Sequence, residues 1–282
     1  MNPDLATLLS TLALSLGVLA YGVGGASLAV GSIENPLRSP AWWAGTALQG
    51  VGFGLTFLAR HQLPLLIVQS AVVAGLAVTA VARAVGGQRR LSTPGWLAVA
   101  ALVCGIGVLG WATVPGPGRA ATWPLVGLLG VLSAVTAALV PMCRRLARVR
   151  AAVAHGLLSG VGFGVAAVAA RLLMGDPAHP PWRFWELPLT GWAAGVMVAA
   201  GLAVGQWHLT LGLARRVPLA ALGLMYLAAV VMPALIGWFA LAEYTRPGTG
   251  PVVAAGLALA ALGGFQLLRE EGAAEAAVSG PA

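Results

Sequence analysis

TWPLVGLLGVLSAVTAALVPMCRRLARVR, Thr122–Arg150, is an apolar run from Trp123 to Pro141 followed by Arg144, Arg145, Arg148 and Arg150. An apolar helix of that length with a basic end reads as one membrane crossing that stops at the cytoplasmic leaflet. On each side of it lie four further apolar runs. An odd connector makes the second set begin on the opposite face of the bilayer from the first. The layout this predicts is an inverted repeat.

Composition supports a bilayer rather than water. The 282 residues are 59% hydrophobic and only 9% charged, too few charges for a soluble domain of this size. The ten-residue alternation of a membrane β-barrel is missing, so the fold class is all-α and polytopic. The formal charge of +8 comes from sixteen basic residues, all arginine, set in short loops. Such loops suit the anionic cytoplasmic leaflet, not nucleic acid. Cys104 and Cys143 offer neither a disulfide framework nor a metal site. No basic segment precedes Leu5, which is expected to begin a retained first span.

Nine spans are expected, as two inverted four-helix repeats and a linking helix. The first repeat, 1–121, holds Leu5–Gly31, Ala41–Ala59, a helix from Pro64 to about Val85, and Gly95–Val114. Leu5–Gly31 exceeds a ~30 Å hydrocarbon core, and Gly22, Gly24 and Gly25 are expected to interrupt it. The linking helix and its basic inner loop take 122–150. The second repeat, 151–268, holds Ala151–Leu173, Leu189–Ala214, Pro218 to about Glu243, and Pro251–Leu268. The tail 269–282 is small and acidic and is expected to be disordered.

With the N-terminus outside, eleven arginines fall on the inner side and five, including Arg60, on the outer. The positive-inside rule then predicts N-out, C-in in a bacterial cytoplasmic membrane. The repeat is visible in the letters: LTFLARHQLP at 55–64 lies close to LTLGLARRVP at 209–218. Both segments end one span and open the next with proline, whose missing N–H is harmless at a helix start.

These segments resemble the drug/metabolite transporter superfamily, in particular EamA-type permeases and NIPA-type magnesium transporters. A repeat of that family reads as a Trp-Gly opening helix, a turn with Ala and Pro, a helix ending in Leu-Gly-Glu, and a Gly-rich helix. The second half offers Trp192-Ala193-Ala194-Gly195, Ala214 to Pro218, Leu241-Ala242-Glu243, and Gly256 to Gly264. The first offers Trp43-Ala44-Gly45, Ala59 to Pro64, Gly86-Gly87-Gln88, and Gly105 to Gly110. Gln88 stands where the family has glutamate, and Ala242 where it has glycine. The resemblance covers about 41–268 and implies a transporter.

Every acidic residue lies in a loop, the tail or a span end, so proton relays and Mg²⁺ sites lack their usual carboxylates. The polar and aromatic residues inside spans are Tyr21, Gln49, Gln69, Ser159, Gln206, Trp207, His208 and Tyr226. A polar group in hydrocarbon must be satisfied, by another helix or by a cavity, and the set from both halves predicts a substrate cavity at midplane. His208 is the candidate for proton coupling, His155 being expected at the inner interface. Gly156, Gly160 and Gly164 recur at the spacing of a helix-packing seam.

No nucleophile elbow, phosphate loop, zinc motif or cofactor motif is present, so the chain is not read as an enzyme. The function expected is alternating-access movement of a small organic solute in the outward direction. The alternatives are a divalent cation carrier or lipid-linked sugar flippase, and a non-transporting membrane scaffold. A small-molecule substrate and the lipid bilayer are the expected partners.

Overall fold

A computed structural model describes residues 3–33, 35–60, 63, 65–85, 92–114, 119–176, 178–179, 181–242 and 244–279, and nearly all of them are helical. The first set is α1 Pro3–Gly31, α2 Pro40–Ala59, α3 Leu65–Val85 and α4 Thr93–Ala112. The connector forms α5 Trp123–Ala138 and the short α6 Val140–Arg144. The second set is α7 Arg148–Met174, α8 Leu189–Leu213, α9 Pro218–Ala240 and α10 Gly250–Ser279. Prolines open α2, α5, α6 and α9 from their first turns, where no N–H partner is lost. Pro141 splits α6 from α5, because it cannot donate to a carbonyl of the preceding turn.

Among the described residues, five helices are long and apolar enough to cross a membrane. They are Asp4–Gly31, Trp123–Arg144, Arg148–Met174, Leu189–Leu213 and Ala221–Ala240. Burial is distributed as it is in lipid. Leu5, Leu8, Leu12, Leu16 and Leu19 of α1 and Val131 and Val135 of α5 point outward. The most deeply buried run, Val165–Ala170, consists of alanine and valine. Small residues inside and large apolar residues outside let helices approach closely while the surface stays soluble in hydrocarbon. Among the described residues the protein is all-α apart from one short clip, and it is membrane-integral.

Each set packs in the same order. In the first, α1 lies against α2 and α3, and α3 against α4; in the second, α7 lies against α8 and α9, and α9 against α10. Between the sets α4 packs on α10, α3 on α9, α2 on α7 and α1 on α8, while α5 rests on α7 and α8. The within-set seams depend on missing side chains. A Cβ on Gly45 would lie 2.8 Å from the Gly24 carbonyl, and one on Gly162 would lie 2.6 Å from the Gly205 nitrogen. Gly156, Gly160 and Gly164 form the corresponding seam of α7 with α9. A Cβ at Gly156 would stand 2.5 Å from the Ala221 carbonyl, one at Gly160 would run into the Met225 carbonyl, and one at Gly164 would meet Met232 Cε at 2.9 Å.

Three details differ from the sequence-based expectation. α1 is continuous through Gly22, Gly24 and Gly25. Those glycines abut α3 and α2, so the helix survives where its neighbours occupy the space of the missing side chains. The segment 269–279 continues α10; its alanines and glutamates are good helix formers, and the helix above supplies the nucleus. Finally, Thr113–Val114 (β1) pairs antiparallel with Tyr244–Thr245 (β2), Thr113 opposite Thr245 and Val114 opposite Tyr244. This clip fastens the end of α4 to the start of α10, with Arg246 N–H donating to the Ala112 carbonyl at 2.8 Å.

Candidate functional site

A cleft of about 250 Å³ opens between α1 and α2 of one set and α7 and α8 of the other. Tyr21, Thr46, Gln49, Phe53, Phe163 and Gln206 contribute its wall. Gly50 and Ala203 are exposed at its rim, so it opens sideways between α2 and α8. A second, smaller recess of about 20 Å³ adjoins it, sharing Tyr21, Gln49, Phe53 and Phe163 and adding Arg60, Met225 and Tyr226. Sites for drug-sized ligands usually run ~300–1,000 Å³, so the cleft suits a small metabolite.

The helical repeat explains why these side chains meet. Gln49, Phe53 and Arg60 are four and eleven residues apart, which brings them onto one face of α2. The neighbouring stripe Gly45, Gln49, Gly52, Thr56 and Ala59 is buried against α1. Gln49 Nε2 donates to the Tyr21 carbonyl at 3.4 Å, a long bond. Below the cleft, Gln206 Nε2 donates to Thr46 Oγ1 at 3.1 Å and Trp42 Nε1 to Thr210 Oγ1 at 3.1 Å. These two bonds link α2 to α8 and close that end.

Of the residues expected around a cavity, the fold brings Tyr21, Gln49, Gln206 and Tyr226 together. Ser159 instead donates to the Gly205 carbonyl at 2.8 Å, joining α7 to α8. Trp207 faces outward and is 49% exposed. Gln69 lies on α3, and its side chain is outside the described residues.

His208 lines neither cavity. It is fully buried against His155, with their Nδ1 atoms 2.9 Å apart, and its Nε2 lies 3.0 Å from the Thr136 carbonyl. His155 is likewise fully buried. The geometry assigns tautomers. A carbonyl accepts only from N–H, so His208 carries its proton on Nε2 and its Nδ1 accepts from His155 Nδ1–H. His155 Nε2 is then a lone pair without a partner. The pair ties α7, α8 and α5 together.

The residue that sequence reasoning placed elsewhere is Arg60. Expected in an outer loop, it caps α2 and is 1% exposed. The signal was its spacing from Gln49 and Phe53, which continues the polar face of α2 past the last apolar residue.

A larger groove of about 440 Å³ lies between α4, α9 and α10 near the clip. Val230, Ala234, Leu235, Trp238 and Leu257 make it a lipid-facing furrow. Among the described residues, no three His, Cys, Asp or Glu side chains converge as a metal site would need. Compared with known protein families, curated proteins and solved structures, the chain matches none.

Proposed function

We propose that the protein is a membrane transporter of the alternating-access kind, similar in plan to the drug/metabolite transporter superfamily, moving a small organic solute through the cleft between its two halves. The observation that carries this reading is the cleft itself. Its polar groups come from both sets, Tyr21, Thr46 and Gln49 from one and Gln206 from the other.

The helix pairing supports the inverted repeat of nine spans. If α1 to α4 correspond to α7 to α10, a pseudo-two-fold axis makes counterparts touch across it. α3 on α9 and α4 on α10 are such pairs, and α2 on α7 matches α1 on α8. Orientation follows from the arginine-rich end. Arg148 donates from Nε and Nη2 to the carbonyls of Arg215 and Arg216 at 2.7 and 3.0 Å, and Arg215 Nη2 reaches the Arg144 carbonyl at 3.4 Å. That end is read as cytoplasmic, which puts the N-terminus outside a bacterial cytoplasmic membrane and the C-terminus inside.

The sideways opening at Gly50 and Ala203 favours a second reading within the same plan, in which the solute is amphipathic and enters from the bilayer, as a flippase substrate does. Both readings are tested in nanodiscs by thermal stabilisation against amino acids, amines, nucleosides, organic acids, divalent cations and polyprenyl lipids. Binding to the folded state stabilises it by ~2.7 kcal/mol at a hundred times the dissociation constant. A saturable shift from one class, lost in Gln49→Ala and Gln206→Ala, supports the cleft. A shift with magnesium alone points to a cation carrier. No shift with any of them sinks the transporter reading and leaves a scaffold.

A further inference from the structure

Arg60 is a buried cation with donors to spare. Its Nε and Nη1 have no hydrogen-bond partner, and among the described residues no carboxylate pairs with it. The guanidinium sits 5.2 Å over the Phe53 ring, a contact that favours the cation but satisfies none of its N–H groups. Arg171 Nη1 donates to the Arg60 carbonyl at 3.3 Å, which brings a second positive charge close by. Burying an unpaired charge is heavily unfavourable, so an ionisable side chain buried with two of its donors unbonded points to a ligand that supplies a counter-charge.

The side chain itself has a specific place. Arg60 walls the 20 Å³ recess, whose other walls include Tyr21, Gln49 and Phe53 of the main cleft. A molecule seated in the cleft therefore reaches Arg60 with one end. The recess has room for a small polar head, and an oxygen of a flat carboxylate fits it. The cleft beyond it is walled by Phe53, Phe163 and Leu202, with amides only at Gln49 and Gln206.

We propose that the cleft selects an organic carboxylate with an apolar body, its carboxylate held by charge-assisted hydrogen bonds from Arg60 at the C-terminal end of α2. The proposal rests on the reading of the cleft as a substrate site, and it makes the preferred solute an anion. Such an acid comes either from water or, carrying a longer chain, through the opening between α2 and α8.

The full chain in nanodiscs is titrated with benzoate, indole-3-acetate and decanoate, and with the matching primary amides, by thermal shift and equilibrium binding. Acids are expected to bind at least tenfold more tightly than their amides. Arg60→Gln is expected to weaken the acids roughly ten- to hundredfold and leave the amides unchanged. Gln206→Ala should weaken acids and amides alike. Without ligand, Arg60→Gln should melt at or above the wild type, since an unpaired buried charge is gone. Binding by decanoate alone assigns a bilayer source, and binding by benzoate an aqueous one; both support the proposal. Equal affinity for acid and amide, or acid affinity unchanged in Arg60→Gln, overturns it while leaving a transporter of uncharged solutes. A variant that unfolds or melts well below the wild type overturns it too, by making Arg60 structural. Binding of no compound to the wild type removes the substrate site itself.

Discussion

Replacing Gly160 by alanine tests whether the α7–α9 seam is set by backbone contact. A Cβ there would run into the Met225 carbonyl and stand 2.6 Å from Ala228 Cβ and 2.9 Å from the Ala229 nitrogen. Carbon atoms rest at about 3.5–4.0 Å, so α7 and α9 must part by roughly 1 Å along the seam. A gap of that size forfeits about a quarter to a half of each contact's attraction, and over-packing of this kind costs about 1–3 kcal/mol. Alanine recovers about 0.5–1 kcal/mol through its better helix propensity. The net expectation is a loss of about 1–2 kcal/mol. Gly127 of α5 is the control, because nothing lies within 4 Å of a Cβ placed on it. Gly127→Ala should match or slightly exceed the wild type. Gly164→Ala should fall between the two, since its nearest neighbour is the flexible end of Met232. Tryptophan-fluorescence melting in one detergent ranks the three. If Gly160→Ala melts with Gly127→Ala, the helices are not held at the spacing described and the seam has no role.

Four further outcomes are expected. Ala242 has φ 53°, in the left-handed region, so Ala242→Gly should stabilise the chain by about 1 kcal/mol, read as a higher melting point. The bond between Gln206 and Thr46 joins the two halves, and a double-mutant cycle of Gln206→Leu with Thr46→Val should return a coupling of about 0.6 kcal/mol in melting free energy; independent effects would deny the link. Arg148→Lys should not rescue what Arg148→Ala loses, because one ammonium cannot span the Arg215 and Arg216 carbonyls as the guanidinium fork does; faster hydrogen exchange at 213–217 in both variants is the readout. His208→Leu should cost more than His155→Leu, by about 1 kcal/mol in thermal stability, because it strands a buried N–H donor rather than a lone pair.

The elements were legible where chain chemistry is local. Pro40, Pro124 and Pro218 announce helix starts whatever surrounds them, and long apolar runs need no partner to be recognised. What hid from the sequence depends on a neighbour. The glycines of α1 look like breaks until α2 and α3 fill the spaces beside them. The pairing of β1 with β2 joins residues 113–114 to 244–245 through two-residue stretches with no period to detect. Arg60 looked like a loop residue because charge at a span end usually is one. His155 and His208 are 53 positions apart, so nothing in either local stretch foretells that they share a hydrogen bond. The polar set of the cleft was readable only as a list of residues needing satisfaction. Which of them would face the cleft, and which would tie helices together, was settled by helix rotation, fixed by packing.

Arg60 also gives the cleft a direction. Among the residues that line the cleft and its recess it is the one cationic side chain, and it comes from the C-terminal end of α2, while Thr46 and Gln206 bond to each other toward the opposite end. A molecule lying between them meets a charge at one end and amides at the other, so the two ends of whatever is held are not interchangeable.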